Sequence, residues 1–216
     1  MNDRSVHPLF APLVNQRTLG LEELRRLEAT GLAAGLPLMQ RAGRAVAEFV
    51  VQQAAPGAKI TALVGPGNNG GDALVAAKLL HEAGYIVTVV MPSQTKQPPK
   101  DAEKALADWQ LTNEAIATDR IPPNSDLVID GLFGIGLTRD LGQPWQGLID
   151  DVNHGTAPVL ALDIPSGLQA ETGKNLGRPI KAKWTLGFIA PTPALRMPTT
   201  ARHTGVCFVA NLGFEP

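Results

Sequence analysis

Short runs of almost purely apolar residues, most of them ended at once by a turn that contains glycine or aspartate, constrain this chain most. Residues 60–64 (ITALV), 86–90 (IVTVV), 127–130 (LVID) and 159–163 (VLALD) are of this kind. Such runs are typical of parallel strands buried on both faces. Helical stretches lie between them, and strands that alternate with helices predict a mostly parallel sheet covered by helices. The predicted fold class is a three-layer α/β/α sandwich.

The remaining elements are predicted from apolar spacing and from residues that begin or end helices. Leu21, Leu24 and Leu27 recur at helical spacing after Thr18, a candidate N-cap. Gly84 is placed to end the helix after the first strand. Helices are expected over 37–53, 72–83, 101–110 and 145–152, and last strands over 184–189 and 206–212.

Length and composition exclude several classes of protein. The 216 residues suit one domain, which we expect over 18–216 after an N-terminal arm at 1–17. The 19 basic and 20 acidic residues give a net charge of -1, so a nucleic-acid-binding protein is not expected. Neither a membrane-spanning run nor a signal-peptide core is visible, which favours the cytoplasm. The single Cys207 excludes an intrachain disulfide and a cysteine-based zinc site.

A glycine-rich loop follows the first predicted strand. Residues 65–72 (GPGNNGGD) satisfy the G-x-G-x-x-G pattern of dinucleotide-binding loops. Two features argue against an ordinary site of that type. No acidic residue ends the next strand, where residues 91–93 (MPS) stand, and Asp72, expected in the first helical turn, would repel a pyrophosphate there. A tight turn with a helix cap is the structural alternative.

Two aspartates, Asp130 and Asp163, end apolar strands and begin the loops 130–136 (DGLFGIG) and 163–167 (DIPSG). Ligands bind beyond the carboxyl ends of parallel strands, so both carboxylates are candidate site residues. Burial raises the pKa of a carboxyl group, and a cation or amide donors lower it. One aspartate can hold a cation while the other moves protons. The alternative is that each merely caps its loop.

Ser166 lies within the third of these loops. It is a candidate hydrolase nucleophile, but no G-x-S-x-G elbow surrounds it and no histidine has a clear partner near a strand end. We therefore favour Ser166 as an oxygen ligand. Asparagine, aspartate and serine oxygens suit hard cations, either monovalent or divalent.

Together the motifs 67–72 (GNNGGD), 130–134 (DGLFG) and 160–167 (LALDIPSG), with the helix entry 38–43 (LMQRAG), resemble the NAD(P)H-hydrate epimerase family. The resemblance covers residues 18–212 and implies a Rossmann-like α/β/α fold. It implies an isomerase that interconverts the R and S forms of hydrated NADH or NADPH (NADHX and NADPHX), which carry a hydroxyl at C6 of the nicotinamide ring. In bacteria the domain is often the N-terminal half of a bifunctional repair enzyme. The other half is an ADP- or ATP-dependent dehydratase, and the family precedent is a homodimer.

The resemblance also implies site residues. Potassium would be bound by Asn69, Asp130 and Ser166, and Asp163 would be the catalytic acid–base. The implied substrate contacts are Asn68, Asn69, Gly70, Gly71, Asp72, Gly134, Ile135, Gly136, Leu137, Thr138, Arg139, Asp140 and Asp163. The chain departs from the family at Gln40 (usually Glu), at Ala73 (commonly Gly) and at 191–194 (PTPA), where a lysine is frequent.

Two other functions compete with the epimerase interpretation. The first is a non-catalytic module on the same fold that binds a nucleotide-like metabolite or a protein; the retained Asp72, Asp130 and Asp163 count against it. The second is a nicotinamide-dependent dehydrogenase, which rests on the glycine loop alone. The missing acidic residue after the second strand argues against that function.

Overall fold

The computed structural model describes residues 10–14, 16–93, 97–118 and 120–214. The strands are β1 (Ala11–Pro12), β2 (Lys59–Val64), β3 (Ile86–Val90), β4 (Ile116–Ala117), β5 (Leu127–Gly131), β6 (Val159–Leu162), β7 (Trp184–Phe188) and β8 (Val206–Ala210). The helices are α1 (Leu21–Ala33), α2 (Leu38–Gln53), α3 (Asn68–Glu82), α4 (Lys100–Gln110), α5 (Trp145–His154) and α6 (Ala201–Thr204), with two 3₁₀ turns at Pro193–Arg196 and Pro198–Thr200.

The strand order of the sheet determines where a ligand can bind. The eight strands are ordered β1-β8-β7-β6-β5-β2-β3-β4, and every pair is parallel except β1 with β8. From β2 the chain builds outward through β3 and β4 on one side. It then returns to β5 and builds outward through β6, β7 and β8 on the other. The order therefore reverses between β2 and β5, the place where open α/β sheets bind ligands.

Side chains of the sheet alternate between two hydrophobic layers. Ala62 belongs to the cluster under α2, α3 and α4, whereas its neighbour Leu63 belongs to the cluster under α5. On β5, Ile129 and Val128 divide in the same way. This alternation is the two-residue period of a strand covered on both faces. The predicted three-layer α/β/α fold with a mostly parallel sheet is confirmed.

Two predicted helix starts are wrong. The helix after the glycine loop begins at Asn68, so Asp72 lies in its second turn and not in its first. Asparagine and glycine are poor helix formers, but the close packing of Gly70 and Gly71 described below overrides that preference. The N-cap of α1 is Gly20, because the hydroxyl of Thr18 accepts a hydrogen bond from Arg196 Nε (2.7 Å) instead.

The arm predicted at residues 1–17 lies partly outside the described residues, which omit 1–9 and 15. Within it, β1 pairs with the edge of β8, and Arg196 donates a hydrogen bond to the carbonyl of Leu13 (2.8 Å). Gly84 has φ +87°, as expected for the residue that ends α3. Within the described ranges, every helix is too short or too polar to span a bilayer.

Candidate functional site

The carboxyl ends of β2, β5 and β6 meet where the strand order reverses, and two neighbouring cavities open there. The smaller, about 100 Å³, is lined by Glu28, Asp72, Asp101 and apolar side chains of α2; we call it the acid chamber. The larger, about 670 Å³, is lined by the loop from Leu132 to Arg139 and is called the outer cleft. Both are lined by Glu28, Asn68, Asn69 and Asp163.

Asp130 and Ser166 form a buried pair that joins two of the strand-end loops. The Ser166 amide donates to Asp130 Oδ2 (2.8 Å), and the Ser166 hydroxyl donates to Asp130 Oδ1 (2.6 Å). The same hydroxyl accepts a bond from the Phe133 amide (2.9 Å). Burial raises the pKa of Asp130 to about 6, although the bonds from Ser166 and Leu132 lower it. Asp130 has no exposed surface, and its bonds to Ser166 hold the two loops together.

Asn69 is one of the buried polar side chains that have atoms without a hydrogen-bond partner among the described residues. It is 6% exposed, and within the described ranges neither Oδ1 nor Nδ2 makes a hydrogen bond. An unsatisfied buried amide costs about 1–3 kcal/mol. A Cβ placed on Gly134 would stand 3.3 Å from Asn69 Oδ1 and 2.6 Å from Asp163 Oδ2. The glycine therefore leaves open the space where the amide and the carboxyl group converge, as a ligand site requires.

The potassium ligands implied by the resemblance fit an oxygen-coordinated cation. Asp130 and Ser166 are in direct contact. Asn69 Oδ1 is a buried oxygen without a hydrogen-bond partner among the described residues, so it is free to coordinate a cation. All three offer oxygen, which suits hard cations. Among the described residues, no group of three or more His, Cys, Asp or Glu side chains is placed to hold a metal.

Asp163 follows β6 directly and lines both cavities. Its φ is +61°, a left-handed conformation that is uncommon for residues other than glycine and that aspartate tolerates better than most. Burial, and then the charge of Glu28, raise its pKa to about 7, against the lowering effect of the amides of Ile135 and Phe188. At neutral pH both protonation states are populated, which is the condition for a group that gives and takes the same proton.

Asp72 points into the acid chamber from the second turn of α3. It is 8% exposed. Burial, and then the charges of Asp163 and Glu28, raise its pKa well above the usual range. These effects favour the protonated form of Asp72, which can donate a hydrogen bond into the chamber.

Glu28 is a site residue that the sequence analysis missed. Burial raises its pKa and Arg25 lowers it. Glu28 lies four residues after Leu24 and seven after Leu21, on the buried face of α1. An acidic residue on the apolar face of an amphipathic helix is the signal that would have identified it.

Most of the predicted substrate contacts line one or both of the two cavities, and three of them line neither. Those of the second loop that line the outer cleft are Gly134, Ile135, Gly136, Leu137, Thr138 and Arg139. Asp140 lines neither cavity and is exposed. Gly70 and Gly71 also line neither, because they serve packing: a Cβ would lie 2.2 Å from Gly65 O at the first and 2.5 Å from Met39 Cε at the second.

The chain is similar to known proteins in sequence and in fold. The family described as "YjeF-related protein N-terminus" matches residues 35–194. NAD(P)H-hydrate epimerase of Bordetella parapertussis is 50% identical over 200 residues, covering 91% of this chain and 88% of its own. The Achromobacter xylosoxidans protein of that name is 48% identical over 193 residues, covering 88% and 93%. The bifunctional NAD(P)H-hydrate repair enzyme Nnr of Hyperthermus butylicus is 41% identical over 190 residues, covering 84% and 35%. The crystal structure of yeast ynu0 (YNL200c) has the same fold, with a TM-score of 0.77, 19% identity and coverage of 93% and 95%.

Proposed function

This chain belongs to the YjeF-related N-terminus family, and we propose that it is an NAD(P)H-hydrate epimerase, an isomerase that repairs hydrated NADH and NADPH. The observation that carries the proposal is Asp163. This carboxyl group, with its pKa raised to about 7, lies beside the unpaired amide of Asn69 in a cavity at the strand-order reversal.

The chemistry requires the C6 hydroxyl of the nicotinamide ring to leave and to return on the opposite face. The lone pair of the adjacent ring nitrogen forms a double bond to C6 as the C6–O bond breaks, which gives an iminium cation. The protonated carboxyl of Asp163 supplies the proton that turns the departing hydroxyl into water. The resulting carboxylate takes a proton from the water that adds back. A positioned acid–base group of this kind contributes about 10²–10⁴-fold.

The acid chamber favours the cationic intermediate over the neutral substrate. Glu28, Asp101 and Asp163 line the chamber, and negative charge there stabilises a ring that becomes positive. The raised pKa of Asp72 favours its protonated form, which would donate a hydrogen bond and add no negative charge. The stabilisation is greatest after the hydroxyl has left, as catalysis requires.

A potassium ion would be held by Asn69, Asp130 and Ser166, where it supplies a fixed positive charge that organises the strand-end loops. Hydrogen bonds between residues of the protein also hold the strand-end loops in place. Ser166 joins the loop after β6 to Asp130 at the end of β5, and its hydroxyl accepts from Phe133 in the following loop. This network fixes the position of Asp163, three residues before Ser166.

The partners follow from the same proposal. Bifunctional relatives such as the Hyperthermus butylicus protein carry the matching segment within a longer chain. We expect the S epimer to be consumed by an ADP- or ATP-dependent dehydratase in the same compartment, the cytoplasm. The homodimer and the single domain over residues 18–216 stay predictions.

The test supplies R-configured NADPHX together with an S-specific dehydratase. Added protein should raise the rate of NADPH recovery above that set by spontaneous epimerisation. The Asp163→Asn variant should give no such increase. Recovery at the spontaneous rate with the unaltered chain, for both NADPHX and NADHX, would show that the proposed function is wrong.

A further inference from the structure

A third cavity, of about 370 Å³, lies on the far side of the glycine loop. Its walls include Gly70 and Gly71 of α3, Met91 and Pro92 after β3, and Ala102 and Leu106 of α4; we call it the apolar pocket. The epimerisation described above uses none of this surface. Gly70 and Gly71, two of the three predicted substrate contacts that line neither the acid chamber nor the outer cleft, line this pocket.

The apolar pocket adjoins the outer cleft. Pro98 lines both cavities. Along the glycine loop, Gly65 lines the pocket, whereas its neighbours Pro66 and Gly67 line the cleft. A ligand can therefore extend from Asp163 through the cleft to the pocket without crossing the packed interior.

The spacing of the sheet fits a ligand with two separated rings. Asp163 follows β6, the pocket lies at the carboxyl end of β3, and β5 and β2 stand between these strands. Three strand spacings separate the two places by about 14 Å. A dinucleotide bound at a strand-order reversal places its two halves on opposite sides of the reversal.

We propose that the apolar pocket binds the adenine ring of the hydrated dinucleotide, an inference that rests on the proposed function. With the nicotinamide ring at Asp163, the adenosine half lies over β2 and β3. At Gly70 and Gly71 the direction of a Cβ is occupied by Gly65 O and Met39 Cε, so these two residues give the pocket a wall of backbone without side chains. The acid chamber is a poorer adenine site, because its walls carry the carboxyl groups of Glu28, Asp72, Asp101 and Asp163, whereas the described residues that line the apolar pocket include no carboxylate side chain.

The start of α3 offers a binding place for the diphosphate that links the two rings of the ligand. The first amides of a helix have no intrahelical acceptor and favour an anion. Asn68 and Asn69 begin α3 between the cleft and the pocket. The objection that Asp72 would repel a pyrophosphate is removed, because its side chain lines the acid chamber from the second turn.

The test compares NADHX with hydrated reduced nicotinamide mononucleotide, which keeps the reacting ring and lacks adenosine. Leu106→Glu places a carboxylate in the pocket wall, and Ala107→Glu places it on the exposed side of the same helix. For NADHX, Leu106→Glu should lower kcat/KM by at least about tenfold, whereas Ala107→Glu should not. For the mononucleotide hydrate, all three proteins should give equal values, below that of the unaltered chain with NADHX.

A binding measurement with adenosine alone separates this inference from the proposed function. Saturation-transfer NMR should detect adenosine on the unaltered chain and on Ala107→Glu, and not on Leu106→Glu. The inference is overturned if adenosine fails to bind the unaltered chain, if it binds all three proteins equally, or if Leu106→Glu affects the two substrates alike. If neither substrate is epimerised, the proposed function fails, and the adenosine measurement alone decides whether the pocket takes an adenine ring.

Discussion

Ser166 donates both its amide and its hydroxyl to the carboxylate of Asp130, over 2.8 and 2.6 Å. Asp130 lies near the end of β5 and Ser166 lies in the loop after β6, 36 positions later in the chain. Their contact fixes the loop in which Asp163 stands. A buried pair without exposed surface thus determines where the accessible carboxyl group lies.

Asp163→Asn should abolish the acid–base role and keep the fold, because asparagine also tolerates a positive φ. We expect kcat/KM to fall by about 10²–10⁴-fold in the coupled assay with a dehydratase. Asp151→Asn, an exposed position on α5, is the matched control and should keep full activity. An Asp163→Asn variant that turns over at the unaltered rate would exclude this residue as the acid–base group.

Asp130→Ala should weaken the dependence of activity on potassium, since it removes one of the three expected oxygen ligands. It should also lower stability, because the Ser166 hydroxyl and amide lose a buried acceptor, at a cost of about 1–3 kcal/mol. The measurements are rates in potassium chloride against choline chloride, and urea unfolding. If activity is independent of potassium in both proteins, the ion has no part in the reaction.

Gly134→Ala tests the open space between Asn69 and Asp163. The added methyl group would stand 2.6 Å from Asp163 Oδ2 and 3.2 Å from Asn69 Cγ, so the carboxyl group must move. We expect kcat/KM to fall by about 10²-fold, since a displacement of this size disrupts a reacting geometry. Gly142→Ala, later in the same loop, outside both cavities and with nothing within 4 Å of an added Cβ, is the control. Equal activity of the two variants would contradict the predicted convergence.

Glu28→Gln should shift the pH dependence of the reaction toward lower pH. The charge of Glu28 is the second cause that raises the pKa of Asp163, so its removal lowers that pKa. In a pH–rate profile, the alkaline limb, where Asp163 loses its proton, should move to lower pH. Glu22→Gln, at an exposed position of α1, should leave the profile unchanged. A profile that stays in place in Glu28→Gln would show that the two carboxyl groups do not interact.

The free energy of unfolding should depend on pH through the carboxyl group of Asp163. The pKa of Asp163 is raised from 3.8 to about 7, so the folded chain binds more protons than the unfolded chain between these values. The stabilisation that protonated Asp163 contributes to the folded chain is fully present below about pH 3.8. It is lost as the pH rises through about 7. Asp163→Asn should therefore gain stability relative to the unaltered chain between about pH 4 and about pH 8. Urea unfolding at several pH values measures the difference, and a constant difference would contradict the raised pKa.

Strand ends were the most predictable part of the site. Uninterrupted apolar runs predict buried parallel strands, and parallel strands bring their carboxyl ends to one edge of the sheet. The sequence therefore predicts that Asp130 and Asp163 lie near each other. It does not predict which of the two is accessible, because that depends on the hydrogen bonds that Ser166 makes across 36 positions.

The remaining parts of the site depend on packing between distant segments. Glu28 reaches the acid chamber only because α1 lies beside α2 and α3. The start of α3 at Asn68 opposes local helix preference and is imposed by the approach of Gly65 and Met39. The two-residue strands β1 and β4 have too few residues for any periodic pattern.

The first turn of α3 is also a partition with two different faces. Asn69 faces the acid chamber and the outer cleft, whereas Gly70 and Gly71 face the apolar pocket. Because these residues are consecutive in one rigid turn, the distance between the two compartments is set by the backbone. The turn therefore determines how long a ligand must be to reach both compartments. A ligand of another length would require a different backbone at the start of the helix.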